Sequence, residues 1–262
     1  MYEIIKTFSP DQVILDLGSQ YGSFPQASTN GTIVRLDRNI DKVGPLDNTI
    51  CADAARLPIR SGSISFVVAN HSLEHFDRLA DCLSEIGRVI EPGGALFVAV
   101  PDASTFTDKL YRWLSNGGGH INAFTESGPL VSAIELATGL PHVATKTLCS
   151  SLCFLNRRNS PAPRPRRLLL IGGGFDLSLL VYTWLSRRID RLFNSRTSVY
   201  GWALYFGSNW PAFDLATLHN VCIRCGSGTP SSSLTVEKTW FGIEKYHCAF
   251  CGSINTYCDD SP

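Results

Sequence analysis

Two short apolar runs, each closing on an aspartate and joined through a glycine turn, constrain this chain more than any other feature. Val13, Ile14 and Leu15 form a β-branched run that ends at Asp16, the pattern of a strand buried on both faces of a parallel sheet. Gly18 and Gly22 follow and give the backbone freedom to pass close to a ligand. Thr32 to Leu36 repeats the pattern and ends on Asp37. A β-turn-α-β unit places an acid about 20 residues beyond the glycine turn to accept hydrogen bonds from ribose hydroxyls. The spacing therefore predicts a nucleoside site. The bulky Gln20 and Tyr21 stand where a pyrophosphate would need small residues, which disfavours a dinucleotide.

The following segments extend one sheet. Thr49 to Asp53 reads as a third strand, and Asp53 before small residues suits an adenine edge, whose exocyclic amine donates to an acceptor. Ser63 to Asn70 is a fourth strand leading into HSLEHF. Arg78 to Ile90 spaces Leu79, Leu83, Ile86 and Ile90 as one helix face, which the sequence stops at Glu91-Pro92-Gly93-Gly94 before a fifth strand, ALFVAVP.

With Asp16-x-Gly18-x-x-x-Gly22, the acids at Asp37 and Asp53, the LEHF turn and the run from Arg88 to Asp102, the chain resembles the class I (type 11-like) S-adenosylmethionine-dependent methyltransferases over roughly 90 residues. Ser65 stands where members carry an aspartate, and Gln20 where they often carry glycine. The resemblance implies an α/β fold with a Rossmann-like, mostly parallel sheet and an antiparallel last strand, for which Ser198 to Phe206 is the candidate. It also implies S-adenosylmethionine as cofactor. Asp16, Gly18 and Gly22 would hold its methionine portion, Asp37 the ribose and Asp53 the adenine amine, while Asn70 would offer backbone.

Methyl transfer from a sulfonium needs positioning, plus a base when the acceptor is a hydroxyl or a protonated amine. His71, Glu74, His75, Asp102 and His120 are the candidates, led by His120 in GGGHINAFT and by His75 on the LEHF turn; loops similar to that of His120 in the family face the acceptor. Thr125 is the expected N-cap of a helix from Glu126 to Thr138, and a sixth strand is expected over His142 to Leu155.

The net charge is zero but unevenly spread. Residues 1 to 155 carry 11 basic and 16 acidic side chains, 156 to 196 carry 9 and 2, and 197 to 262 carry 3 and 5. The basic stretch, 156 to 196, is read as an insertion in a methyltransferase domain spanning 1 to 210. It opens on a Pro/Arg-rich link and continues as an amphipathic helix from Asp176 to Phe193. Residues 168 to 193 suit either a peripheral membrane contact or a lid helix.

Nine cysteines without an apolar leader predict a cytoplasmic chain, with the inner membrane surface as a peripheral location, and free or metal-bound thiols. Cys51 and Cys82 are expected in the core. Cys222-x-x-Cys225-Gly and Cys248-x-x-Cys251-Gly predict a structural zinc site in a C-terminal ribbon over 211 to 262. Arg224, Lys238 and Lys245 are matched in this unit by Glu237, Glu244, Asp259 and Asp260, which argues against nucleic acid and for protein contact or substrate clamping. The expected activity is methylation of a hydroxyl or amine on a small-molecule, glycan or lipid-linked acceptor. The alternatives are an RNA methyltransferase using the arginine-rich insertion and a noncatalytic S-adenosylmethionine-binding scaffold.

Overall fold

A computed structural model describes residues 2–19, 22–24, 26–39, 48–114, 119–149, 176–208, 210, 220–222, 228–229, 233–240, 242–250 and 252–257. After a short helix, α1 (Tyr2–Ile5), come β1 (Val13–Leu17), β2 (Thr32–Asp37), β3 (Thr49–Cys51), β4 (Ile64–Asn70), α2 (Leu79–Val89), β5 (Ile90–Pro101) and α3 (Phe106–Leu114). These are followed by α4 (Ser127–Thr138), β6 (His142–Cys149), α5 (Asp176–Phe193) and β7 (Val199–Gly207). Five short strands end the chain: β8 (Asn220–Val221), β9 (Gly228–Thr229), β10 (Glu237–Lys238), β11 (Glu244–His247) and β12 (Ile254–Thr256).

Seven strands form one sheet in the order β3-β2-β1-β4-β5-β7-β6. The pairings from β3 through β5 are parallel, as the all-apolar runs predict. At its start, β7 offers the Tyr200 carbonyl to the Asp102 amide beyond the end of β5. At its end, Gly207 sits against Gly94 and Ala95 at the start of β5. The strand therefore runs antiparallel to β5, as expected for Ser198 to Phe206.

Alternation along the strands divides the core. Leu15, Leu17, Val67, Ala69, Leu96 and Val98 face Leu83, Ile86 and Val89 of α2 and Leu130 and Ile134 of α4. Gly87 permits the close approach of these helices, because a Cβ there would lie 2.7 Å from Thr138 Cα. The alternate residues meet a chain of rings, with Phe66 between Phe8 and Trp210, and Tyr205 between Trp210 and Phe97. Ser65 is consistent with its place on β4, since its hydroxyl accepts from the Val13 amide at 3.4 Å.

Two boundaries and one burial are corrected. The chain re-enters the sheet directly from α2, with Ile90 paired to Ile64, so Glu91 to Gly94 form an irregularity inside β5 in place of a break before it. Glu126, in extended conformation, is the N-cap of α4 in place of Thr125. Cys51 is exposed, because it ends the edge strand β3, whereas Cys82 is buried as expected. The sixth strand is described to Cys149, and Ser150 to Leu155 lie outside the described residues.

Two compact units emerge. The first comprises residues 1–100, 121–146 and 202–213; the second comprises 101–120, 147–201 and 214–262. Helix α5 spans the predicted 176 to 193 and, in the second unit, packs against β12. Among the described residues no helix is long and apolar enough to cross a membrane.

Candidate active site

The loop after β1 is set by its glycines. Gly18 has φ +68°, and a Cβ there would lie 2.6 Å from Ser72 Cβ, so both conformation and space demand glycine. Its amide donates to Leu36 O at 2.7 Å, which ties the turn to β2. Gly22, at φ +89°, passes 3.0 Å from Arg35 Nε, measured from where its Cβ would stand. Asp16 is fully buried at the centre. Its carboxylate accepts from Ser23 N at 2.8 Å and Ser23 Oγ at 2.7 Å, closing the loop on itself. Burial pushes the Asp16 carboxyl up to about 6, against the lowering effect of Ser23 and of Arg35 across the strand pair.

The other acids stand at the carboxyl ends of the neighbouring parallel strands, where ligands bind in open α/β sheets. Asp37 closes β2 and accepts from Asn39 N at 2.9 Å. Asp53 follows β3, accepting from Ala55 N at 2.9 Å and pairing with Arg78 Nη2 at 2.8 Å. The Ala55 amide first, then the Arg78 guanidinium, hold its carboxyl below the usual range. Asn70 ends β4. Among the described residues its Oδ1 and the hydroxyls of Ser19 and Ser72 are buried without a hydrogen-bond partner. Buried polar atoms are normally satisfied, and Ser72 abuts Gly18. Three unmatched polar atoms around this turn fit a polar ligand such as a nucleoside with an amino-acid tail.

Sequence reasoning missed Ser19, Ser23, Arg35 and Ser72. Ser23 was readable only as a hydroxyl seven residues beyond a strand-ending aspartate. A lone arginine inside a strand usually marks an edge, yet Arg35 is 4% exposed and donates to Phe24 O at 2.9 Å. His71, one of the candidate bases read from the sequence, adopts φ +54° just past β4, a left-handed conformation that histidine takes more readily than most side chains.

The two leading histidine candidates fall in different units. His75 ends a short 3₁₀ turn, Leu73–His75, next to the end of β4. Its turn is anchored by Asn122, whose side-chain amide donates to Leu73 O and Phe76 O at 2.9 and 2.8 Å. His120, in the second unit, has Nδ1 3.4 Å from Asp108 Oδ1 and its ring 5.4 Å from that of Tyr111. Asp108 is buried on α3, where Arg112 Nε lies 2.7 Å from its other oxygen.

Residues 15–98 match the family model described as a methyltransferase domain. Over this segment the chain is similar to methyltransferase domains. The malonyl-[acyl-carrier protein] O-methyltransferase of Methylococcus capsulatus is 28% identical over 134 residues, 46% of this chain and 48% of its own. That of Alcanivorax borkumensis is 37% identical over 84 residues, 30% of this chain and 28% of its own. The chain spans about half or less of the length of the curated relatives it matches. Among solved structures, an S-adenosylmethionine-dependent methyltransferase from Archaeoglobus fulgidus has the same fold at TM-score 0.53 and 15% identity, covering 77% of this chain and 88% of that one.

Of the four predicted metal ligands, Cys222 and Cys248 are described and buried, while Cys225 and Cys251 lie outside the described residues. Cys222 Sγ lies 3.0 Å from Ser253 Oγ and receives Asn255 Nδ2 at 3.6 Å. Cys248 opens a turn at the tip of the β11–β12 hairpin. There Gly252 N donates to Cys248 O at 2.9 Å, with Gly252 at φ +69°. Of these two contacts on Cys222, the Asn255 amide is the one whose direction is set, with the sulfur accepting.

Proposed function

We propose that the methyltransferase domain uses S-adenosylmethionine to methylate a hydroxyl or amine of a small-molecule, glycan or lipid-linked acceptor. The observation carrying the cofactor assignment is the trio of unmatched buried atoms, Ser19 Oγ and Ser72 Oγ at the Gly18 turn and Asn70 Oδ1 at the end of β4, with Asp37 at the end of β2. In this reading Asp16 acts by holding the loop through Ser23 and by opposing the positive charge of the methionine end. Asp37 takes the ribose hydroxyls. Asp53 accepts the adenine amine on lone pairs that Ala55 and Arg78 leave available. When bound, the cofactor supplies an electrophilic methyl group, and the protein's part is orientation and proton removal.

His120 is the proposed base. The buried Asp108 carboxylate, 3.4 Å from Nδ1, would stabilise the imidazolium formed when the ring takes the acceptor's proton. His75 is the second candidate, since its turn follows the strand that carries Asn70. The four cysteines are proposed to hold one structural zinc ion, supported by the knuckle turn at Cys248 to Gly252 and the Asn255 amide donating to Cys222. Leu185, Leu192 and Phe193 are exposed on α5 and support its contact with an apolar or membrane surface.

A second reading, methylation of a carboxyl on a carrier-bound thioester, is favoured by the two curated relatives named above. The acceptors differ in one physical respect: a carboxylate is already deprotonated near neutral pH, whereas a hydroxyl needs a base. The test compares His120→Ala with the unmodified chain on malonyl-loaded acyl carrier protein and on a fractionated extract, with labelled methyl donor. Label entering a hydroxyl- or amine-bearing product, with a loss of about 100-fold or more in His120→Ala, supports the first reading. Label entering the malonyl carboxyl equally in both proteins supports the second.

A further inference from the structure

We propose that Arg78 is a positioning residue that makes the nucleoside end of the site select a 6-aminopurine over a 6-oxopurine. The inference rests on the reading that Asp53 meets the adenine amine, and it adds the residue that decides how strictly that amine is read. All the residues involved lie in the first unit.

Asp77 and Arg78 are neighbours of opposite charge at the entry to α2, where Arg78 is the N-cap. Each reaches the end of a different strand of the parallel pair β2 and β3. Asp77 Oδ2 accepts from Arg38 Nη1 at 2.9 Å, next to Asp37 at the end of β2. Arg78 Nη2 donates to Asp53 Oδ2 at 2.8 Å, just beyond β3. The dipeptide thus stitches together the two loops that carry the proposed ribose and adenine acids. Arg78 and Asp53 are 46% and 43% exposed, and exposed ion pairs add little to stability. What this pair contributes is direction.

Asp53 is held through both of its oxygens. Oδ1 accepts from the Ala55 amide at 2.9 Å, a bond within Asp53's own turn, and Oδ2 accepts from Arg78, which comes from another element. Asp81 lies 3.7 Å from Arg78 Nη1 and steadies the far side of the guanidinium. The same two donors on Asp53, the amide first, keep its carboxyl ionised, and an ionised carboxylate only accepts.

Adenine presents a donor at C6, its exocyclic amine, and an acceptor at N1. Hypoxanthine reverses the two, with a carbonyl oxygen at C6 and an N–H at N1. A carboxylate anchored at one oxygen can swing along the ring edge by one atom and take whichever donor is there. Anchored at both, it stays opposite one position. With Arg78 in place the carboxylate meets the amine of adenine, or repels the C6 oxygen of hypoxanthine.

The test measures, by calorimetry on the full chain, affinity for S-adenosylhomocysteine and for its deaminated counterpart S-inosylhomocysteine. The native chain is expected to prefer the adenosyl compound by about tenfold or more. Arg78→Gln should lower that ratio by about fivefold or more, with an unchanged thermal unfolding profile. Arg78→Lys, which keeps a donor toward Oδ2, should recover part of it. Asp77→Asn breaks the neighbouring pair without touching Asp53 and is expected to leave the ratio unchanged. A ratio unchanged in Arg78→Gln, including an equal loss for both compounds, overturns the positioning role. Tighter S-adenosylhomocysteine binding in Arg78→Gln also overturns it, because the arginine would then compete with the amine for Asp53. Native binding of S-adenosylhomocysteine with no preference over the inosyl compound overturns the inference and leaves the cofactor assignment standing, whereas binding of neither compound overturns both.

Discussion

Asp108 Oδ1 lies 3.4 Å from His120 Nδ1, and the carboxylate that makes this pair is buried on α3. In the proposed mechanism this buried charge favours the imidazolium that forms when His120 accepts a proton. Asp108→Asn keeps the shape of the side chain while removing its charge. Methyl transfer is expected to fall by about tenfold to hundredfold, with cofactor affinity unchanged. Turnover and calorimetric cofactor affinity, measured on the same preparation, separate this outcome from a loss of fold.

His120→Ala is expected to lower turnover on a hydroxyl or amine acceptor by about 100-fold or more while leaving cofactor binding intact. Equal turnover on such an acceptor would move the base to His75.

Gly18 carries two separable constraints, its φ of +68° and the 2.6 Å approach of a would-be Cβ to Ser72. Gly18→Ala is expected to lose about 2 to 4 kcal/mol of stability from crowding and left-handed strain together. Adding Ser72→Gly removes the crowding but not the strain, so a urea-unfolding cycle should recover part of the loss. Full recovery would mean that the backbone conformation costs nothing.

Asp16 gives the protein a pH signature of unusual sign. Its carboxyl stands at about 6 in the folded chain against an ordinary 3.8, so the folded state holds its proton more tightly than the unfolded one. Its contribution to stability is constant below about pH 4, declines as pH rises through the folded value and levels off above it. The span is on the order of 3 kcal/mol at most. Glu85 and Asp190, whose carboxyls are lowered, act in the opposite direction. The informative quantity is therefore the difference between the native chain and Asp16→Asn, which should change between pH 4 and 6. A flat difference would show that Asp16 is ionised at no cost.

The parallel half of the sheet was legible because each of its strands is an apolar run ending at a turn or an acid. The antiparallel closure was legible from the aromatic density of Ser198 to Phe206. Helix α5 was readable from its periodicity, but not the direction of its basic face. Arg187 turns to carbonyls of Thr256 and Tyr257, about 70 positions away, and no local pattern encodes such a contact. The acids proposed to hold the cofactor were visible from spacing. Their partners were not, because Ser23, Arg35 and Arg78 act through geometry that only the closed loops create. Cys51 was misread because burial follows strand position in the sheet, and strand order is not written in a three-residue run.

The zinc assignment predicts one metal ion per chain in protein purified without added metal. Chelation or Cys248→Ser should loosen the β11–β12 hairpin while residues 15–98 keep their hydrogen-exchange protection. Metal-free protein with its C-terminal cysteines oxidised in pairs would contradict both the metal and the reducing compartment.

The measurement that bears most directly on the whole account is transfer of labelled methyl from S-adenosylmethionine into acceptor in cell extract, followed by mass spectrometry, for the native chain and Asp37→Ala. The account predicts a methylated product formed in step with S-adenosylhomocysteine. In Asp37→Ala, cofactor affinity and transfer at low cofactor concentration should both fall by about tenfold to hundredfold. Cofactor binding by the native chain with no label in any product, or affinity and transfer unchanged by Asp37→Ala, would contradict it.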